Sequence, residues 1–277
     1  MGSTTDSMPL VSVVLTTYNA SAHVEDCLKC LLSQTFQQFE IIVVDDASTD
    51  CTCEIIDQNL AGRIPHRLLR LKRNTGGPAE PRNMGVQEAK GHWVALLDSD
   101  DLWHPQKLEI ELQVARQSGS PFVSSEKLWF RSVKETDARR NQLFSLKGHQ
   151  TRLVTHKQLC RKNFLCTSSV LAERTLFIRH PFNTNPDYRA VEDYRCWLDI
   201  HRESVTSSPQ ILTPLVYYRI WPGSISGSKL GMIRKHLRLY RDYFRGQPLS
   251  GIQVLLSFTV YGFASLYRQL KYRRSRC

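Results

Sequence analysis

The chain has 277 residues, of which 41% are hydrophobic and 23% are charged. This composition supports a sizeable buried core and excludes a largely disordered protein. The first eight residues contain neither a basic start nor an apolar stretch, so we expect no secretory signal. The eight cysteines lack the spacing of a small secreted disulfide scaffold, which favours a reduced, cytosolic protein.

The positive charge is concentrated near the end of the chain. Lys and Arg outnumber Asp and Glu by 37 to 26, a net charge of +11. Residues 229–277 hold eleven of the basic residues and one acid, Asp242. An excess of this kind predicts a polyanionic partner such as a nucleic acid, an anionic membrane face or phosphate groups.

In chain order, short apolar runs alternate with helical patterns. Residues 10–16 and 40–44 predict strands, and residues 23–33 between them have helical spacing. The alternation continues with a helix after Asp50, a strand at 67–71, helix 81–90, strand 92–97, helix 106–117 and strand 121–125. The pattern predicts an α/β fold with a mostly parallel sheet flanked by helices.

The second half of the chain has weaker signals. The polar segment 131–150 predicts a loop, and residues 215–220 predict a last strand. Residues 229–245 and 251–274 predict helices.

Polar side chains follow three of the predicted strands, and ligands of open α/β sheets bind at the carboxyl ends of strands. The three segments are 16–19 (TTYN), 45–50 (DDASTD) and 98–101 (DSDD). Acids after a strand often cap the next helix, and for Asp50 that alternative stays open. Three carboxylates within four positions repel one another without a cation. The last segment therefore predicts a site for Mn²⁺ or Mg²⁺.

Five segments resemble the motif set of family 2 glycosyltransferases. They are VSVVLTTYN at 11–19, IIVVDDASTD at 41–50, NTGGPAEPRNMG at 74–85, GHWVALLDSDDLWHPQKLE at 91–109 and VEDYRCWL at 191–198. The resemblance implies a GT-A fold and transfer of a sugar with inversion. It also implies a catalytic domain at 1–226 that binds a nucleotide-sugar, followed by a helical basic extension at 227–277.

The resemblance implies a role for each residue that matches a motif. The donor would be a nucleotide-diphosphate sugar, most often a UDP-sugar. Its binding residues would be Thr16, Tyr18, Asp46, Ser48, Gly76, Gly77, Arg82, Asn83, Asp98 and Arg219. Asp100 would be the main metal ligand, helped by Asp98. Asp101 is a weaker candidate, because its side chain could instead cap the helix that starts near Pro105.

Inverting transfer also needs a base that removes the proton of the acceptor hydroxyl. Asp193 matches the family's position for that base, and Glu192 beside it is a possible substitute. The alternative is that Asp193 caps the helix that contains Trp197. In addition, Trp221 stands where the family often has a metal-binding histidine. We therefore expect the ion to depend on Asp100 and the diphosphate, and to bind weakly without nucleotide.

Residues 249–266 carry no charge and lead into a basic segment. Their length approaches a membrane span, but several polar residues dilute the apolarity. We expect a helix in the interface of an anionic membrane; the alternative is a helix packed on the catalytic domain. These features predict a cytoplasmic enzyme at the inner face of the cell membrane. The resemblance to family 2 enzymes that make bacterial surface polysaccharides implies a saccharide or lipid-linked acceptor in surface polysaccharide synthesis, with no nucleic-acid partner.

Two other functions remain open at this point. A nucleotidyltransferase that forms nucleotide-sugars shares the architecture, but it would need a glycine- and arginine-rich phosphate loop after the first strand. A membrane- or nucleic-acid-binding module without transferase activity explains the basic tail but not the acidic turn. Cys27, Cys30, Cys51 and Cys53 could in principle bind zinc, but we expect buried structural thiols.

Overall fold

A computed structural model describes residues 10–146, 148–221 and 229–245. Its strands are β1 Val11–Thr17, β2 Phe39–Asp45, β3 His66–Arg70, β4 Trp93–Asp98, β5 Leu102–Trp103, β6 Phe122–Phe130, β7 Thr151–Thr155, β8 Val170–Glu173 and β9 Ser207–Arg219. Its helices are α1 Val24–Leu32, α2 Thr52–Leu60, α3 Ala79–Glu88, α4 Lys107–Ser118, α5 Lys134–Arg140, α6 His156–Leu159, α7 Arg174–Arg179, α8 Glu192–Glu203 and α9 Lys229–Tyr243.

The strands form one mixed sheet in the order β3-β2-β1-β4-β8-β6-β9-β5, with β7 paired to β9. The first four strands are parallel to one another. β8 is antiparallel to both of its neighbours, β4 and β6, and β6 is parallel to β9. The predicted α/β architecture is thus confirmed, but the parallel part is confined mainly to the N-terminal half.

β1 and β2 are buried along their whole length, because helices cover both faces of the sheet. Val14 faces the core formed with α3 and α8. Val13 and Leu15 face the core formed with α1 and α4, as expected when side chains alternate along a strand. A Cβ on Gly85 would lie 2.4 Å from Val14 Cγ1, so only glycine lets α3 approach β1 this closely.

The parallel strands end together at one edge of the sheet. Thr16 lies beside Val44 on one side and Asp98 on the other, and Thr17 lies beside Asp45. The three polar segments that follow these strands therefore converge, as the sequence predicted.

Several elements were not predicted. Segment 131–150 contains α5, although the sequence predicted a loop. β9 begins at Ser207, well before the predicted strand at 215–220. Pro209 and Pro214 lie within it, and prolines weaken the sequence signal for a strand because they cannot donate to the ladder. Pro214 pairs with Glu126 where the register of β6 and β9 shifts, a place that tolerates proline.

The predicted helix at 229–245 is present as α9, and it packs on the rest of the chain. Tyr240, Tyr243 and Phe244 are buried in the same core as Tyr194 of α8, and the hydroxyls of Tyr194 and Tyr240 lie 3.1 Å apart. The predicted helix at 251–274 lies outside the described residues. Within the ranges that the structure describes, none of the helices has the length and apolarity needed to cross a membrane.

Candidate active site

The ends of β1 and β2 carry residues that were predicted to bind the nucleotide. Thr16 and Asp46 are buried there, whereas Tyr18 is 51% exposed. Asp46 Oδ1 accepts a hydrogen bond of 2.8 Å from the backbone N of Thr75. Burial raises the pKa of Asp46. This carboxylate therefore ties the loop at 74–77 to the end of β2.

Ser48 and Asp50 organise the loop after β2. The Ser48 hydroxyl donates to Asp45 Oδ1 at 2.6 Å and accepts from the backbone N of Asn19 at 2.8 Å. Asp50 accepts from the backbone N of Thr52, the first residue of α2, although Cys51 and not Asp50 is the N-cap residue of that helix. The nucleotide-binding role of Ser48 stays a prediction.

The glycine pair lies on the loop that Asp46 anchors. Gly76 has a φ of +90° and no atom within 4 Å of the place a Cβ would take. Its backbone conformation requires glycine, and the space beside it leaves its backbone accessible. A Cβ on Gly77 would contact Arg189 Cγ at 3.4 Å. The close approach of the backbone at Gly76 and Gly77 to a ligand stays a prediction.

Arg82 connects the acidic turn at 98–101 with Glu192, the neighbour of the predicted base Asp193. Its guanidinium is buried and donates to Asp98 Oδ1 at 2.7 Å and to Glu192 Oε1 at 2.8 Å. The guanidinium also lies 5.5 Å from the centroid of the Phe182 ring. Asn83, predicted beside the donor, uses its side-chain amide for two hydrogen bonds of 2.8 Å with the backbone of Phe182. Its predicted contact with the donor stays a prediction.

Asp101 is a structural residue in this arrangement. It is fully buried, and it accepts hydrogen bonds from Ser168 Oγ at 2.6 Å and from the backbone N of Arg219 at 3.0 Å. The alternative that Asp101 caps the helix near Pro105 does not hold, because α4 begins at Lys107 and has no side-chain cap. Burial and the neighbouring Asp100 raise the pKa of Asp101 well above its usual range.

Asp100 is half-buried at the tip of the acidic turn. Its Oδ2 accepts a hydrogen bond of 2.9 Å from Trp221 Nε1, and its carbonyl accepts one of 2.8 Å from Arg219 Nε. Burial and the charge of Asp98 raise the pKa of Asp100. Arg219 is itself buried, with its guanidinium 4.5 Å from the Phe130 ring centroid. Arg219 therefore stabilises the backbone of the acidic turn at 98–101 from the buried side.

Asp193 and Glu192 lie in the first turn of α8. Asp193 Oδ2 accepts from Thr167 Oγ1 at 3.2 Å, and Oδ1 accepts from the backbone N of Tyr194 at 2.6 Å. Burial and the charge of Glu192 raise the pKa of Asp193 to about 7, although Arg82 opposes the shift. Val191, not Asp193, is the N-cap residue of α8, so the capping alternative for Asp193 does not hold.

The turn at Thr167 and Ser168 was missed in the sequence. Thr167 contacts Asp193, and the Ser168 hydroxyl donates to Asp101 while its carbonyl accepts from Trp103 Nε1 at 2.8 Å. A short Cys-Thr-Ser-Ser segment has no spacing that sets it apart, so only its position in the fold reveals this role.

The structure also bears on the metal signals. Among residues 10–146, 148–221 and 229–245, no three His, Cys, Asp or Glu side chains form a preassembled metal group. Cys27, Cys30 and Cys53 are buried free thiols, as expected, whereas Cys51 is exposed, contrary to the expectation of a buried thiol.

Comparison with known proteins agrees with this geometry. Residues 12–177 match Glycosyl transferase family 2. The chain belongs to this family. It is 30% identical over 226 residues to the Escherichia coli enzyme named UDP-Glc:alpha-D-GlcNAc-diphosphoundecaprenol beta-1,3-glucosyltransferase WfaP, covering 80% of this chain and 82% of that protein. It is also 29% identical over 243 residues to the putative teichuronic acid biosynthesis glycosyltransferase TuaG of Bacillus subtilis, covering 87% and 91%.

Solved structures share the fold at low sequence identity. The crystal structure of Staphylococcus aureus TarS 1–349 with UDP has a TM-score of 0.65 and 19% identity, covering 90% of this chain and 70% of that one. The mannosyltransferase PcManGT from Pyrobaculum calidifontis, in complex with GDP-Man and Mn²⁺, has a TM-score of 0.64 and 18% identity, covering 91% and 70%. The predicted family, the GT-A-like fold and the glycosyltransferase class are thus confirmed, and the two alternative functions are set aside.

Proposed function

We propose that this glycosyltransferase moves a hexose, with inversion, from a UDP-sugar to a saccharide or lipid-linked acceptor in surface polysaccharide synthesis. The observation that carries the proposal is the buried Arg82, which joins Asp98 of the acidic turn to Glu192, the neighbour of Asp193. Arg82 thereby links the acidic turn, which carries the proposed metal ligands Asp98 and Asp100, to the first turn of α8, which carries the proposed base Asp193. The names of the Escherichia coli and Bacillus subtilis relatives support the substrate class.

The donor is proposed to bind along the edge where β1, β2 and β4 end. Asp46 and the exposed ring of Tyr18 would receive the base, and the backbone at Gly76 and Gly77 would approach the nucleotide. Asp98 would face the ribose or the sugar, since its side chain is 28% exposed. The proposal also includes the other predicted contacts with the donor, which are those of Thr16, Ser48, Arg82, Asn83 and Arg219.

The acidic turn suits a divalent cation. Carboxylate oxygens are the ligands that Mn²⁺ and Mg²⁺ prefer, and the pKa of Asp100 is raised because it is buried next to Asp98, a repulsion that a cation relieves. We propose Asp100 as the main ligand and Asp98 as the second, with diphosphate oxygens completing the shell. The bound ion would neutralise the charge of the diphosphate as it leaves.

Asp193 is proposed as the base. A pKa of about 7 lets it accept the proton of the acceptor hydroxyl at neutral pH. The oxygen then forms its bond to the anomeric carbon while the bond to the nucleoside diphosphate breaks. Glu192 is less suited to this role, because one of its oxygens is held by Arg82 in a buried ion pair.

An acceptor surface is proposed on the face of β6 and β9 that carries Lys127, Trp129 and Tyr218. Trp129 is 54% exposed and lies beside Tyr218 in the register of the two strands. Lys127 Nζ lies 4.7 Å from the Tyr218 ring centroid. Lys127 also lowers the pKa of Cys166, which burial raises to about 12. Cys166 precedes Thr167, the partner of Asp193, and we propose that the acceptor extends from this surface toward the base.

Aromatic rings that stack on a sugar and a cation that pairs with phosphate fit a sugar-diphosphate acceptor. A lipid carrier for that acceptor, together with the basic tail, supports the proposal of a cytoplasmic enzyme at the inner face of the membrane. The boundary between a catalytic domain at 1–226 and an extension at 227–277 is kept as a proposal, although α9 packs on the catalytic core.

Nucleotide release tests the proposed function. With a panel of UDP- and GDP-sugars and a sugar-diphosphate-lipid acceptor, we expect release of UDP that requires Mn²⁺ or Mg²⁺ and stops with EDTA. Asp100→Ala should lower kcat/KM by at least about 100-fold, because the diphosphate loses its cation. Asp57→Ala, at an exposed ion pair with Arg70, is the control. Metal-independent turnover, or full activity of Asp100→Ala, would contradict the proposal.

Trp129→Ala tests the acceptor surface. We expect the KM for the sugar-diphosphate acceptor to rise about 3- to 10-fold with little change in the KM for the donor, because a stacking contact is lost. Leu153→Ala, another exposed apolar side chain on the sheet, should leave both constants unchanged. An unchanged acceptor KM in Trp129→Ala would place the acceptor elsewhere.

A further inference from the structure

Trp221 covers the tip of the acidic turn. Its indole N–H donates to Asp100 Oδ2 at 2.9 Å, and its ring packs edge-on against His23 with the ring centroids 5.3 Å apart. The side chain is 38% exposed, so it rests over the turn from the solvent side rather than being locked inside the core. The hydrogen bond engages the carboxylate proposed as the main metal ligand.

Both carboxylates of the proposed metal site are thus held by donors of the protein itself. Asp98 Oδ1 accepts from the buried Arg82, and Asp100 Oδ2 accepts from Trp221. The rest of the turn is fixed from behind, because Arg219 Nε donates to the carbonyl of Asp100. Arg82 and Arg219 are buried, whereas Trp221 can leave toward solvent. Trp221 is therefore the donor that a cation can displace most easily.

We propose that Trp221 is a positioning residue that keeps Asp100 from binding a divalent cation until a nucleoside diphosphate is present. An indole N–H has no lone pair for a metal, so it competes with the ion and cannot join it. A cation alone must either displace the indole from Oδ2 or bind Asp100 through Oδ1, with a carboxylate whose charge is already shared with a donor. With a diphosphate bound, additional oxygen ligands make the exchange favourable. The inference rests on the proposed function, since it requires Asp100 to bind a metal.

The expected size of the effect follows from the strength of the bond. A hydrogen bond to a charged group contributes enough to change an equilibrium constant by about tenfold or more. Removing the indole N–H should therefore strengthen Mn²⁺ binding without nucleotide by about tenfold. The indole N–H opposes Mn²⁺ whether or not UDP is bound, so Trp221→Phe should also bind Mn²⁺ more tightly with UDP, and the reciprocal coupling between Mn²⁺ and UDP should persist.

The experiment compares the full-length wild-type protein with Trp221→Phe and with Trp93→Phe. Phenylalanine keeps a ring against His23 but lacks the donor. Trp93 begins β4, at the end opposite to Asp98, and serves as the control. Free Mn²⁺ is measured by electron paramagnetic resonance during titration, first without nucleotide and then with UDP. Indole fluorescence is recorded in parallel. A fluorescence change on addition of Mn²⁺ that wild type shows and Trp221→Phe does not reports displacement of Trp221.

We expect Trp221→Phe to bind Mn²⁺ about tenfold more tightly than wild type without UDP, and Trp93→Phe to match wild type. Equal Mn²⁺ affinity of wild type and Trp221→Phe without UDP, while UDP still promotes binding in both, overturns the inference and leaves the proposed function intact. If neither protein binds Mn²⁺ even with UDP, the metal part of the proposed function fails, and the inference falls with it.

Discussion

Asp193→Asn is expected to lower kcat about 10²- to 10⁴-fold, the range in which general bases contribute, while UDP-sugar still binds. Asparagine keeps the size of the side chain and can accept one of the two hydrogen bonds, from Thr167 Oγ1 or from the backbone N of Tyr194, but it cannot accept the proton of the acceptor hydroxyl. Nucleotide release measures the loss, and titration calorimetry with UDP measures the donor affinity. Asp199→Asn, on the same helix in an ion pair with Arg195, is the control that should stay active.

The pH profile gives a second test of the same residue. Because burial and Glu192 raise the pKa of Asp193 to about 7, the base is protonated and inactive at lower pH. We expect kcat/KM to fall about tenfold per pH unit below about pH 7 and to level off above it. An active Asp193→Asn enzyme with an unchanged profile would contradict the role of Asp193 and direct attention to Glu192.

Arg82→Ala is expected to cost about 3–5 kcal/mol in the free energy of unfolding, as breaking a buried ion pair does. The reason is that Glu192 remains buried without its counter-ion, and Asp98 loses its partner at the mouth of the site. Urea denaturation at neutral pH measures the change. Arg70→Ala removes a pair whose side chains are 52% and 54% exposed, and it should cost about 1 kcal/mol or less.

The same substitution should also change the pH dependence. Arg82 lowers the pKa of Asp193, so its removal should move the acidic limb of kcat/KM to higher pH in the folded fraction of the variant. A purely structural role would reduce the amount of folded enzyme but leave the position of the limb unchanged. Equal unfolding free energies for Arg82→Ala and Arg70→Ala would contradict the stabilising role of the buried ion pairs that Arg82 makes with Asp98 and Glu192.

The sequence by itself determined the N-terminal half of the fold and brought the predicted site residues to one edge of the sheet. Continuous apolar runs such as residues 41–44 and the helical spacing of 23–33 are local signals, and each gave the correct element. The polar segments at 16–19, 45–50 and 98–101 follow parallel strands, whose ends must meet at one edge. The sequence signals for secondary structure were weaker where prolines interrupt β9 and where the elements are short, as β8 and the turn at Thr167 are.

Only the tertiary structure decided which side chains hold one another. Arg82 reaches Glu192 across 110 positions of sequence, Ser168 fixes Asp101, and Trp221 meets Asp100 across 121 positions. A single sequence carries spacing within an element, but it contains no record of contacts between distant elements. For that reason the acidic turn was predictable, whereas the burial of Asp101 and the indole over Asp100 emerged only from the packing of β9 and the Ser168 turn against it.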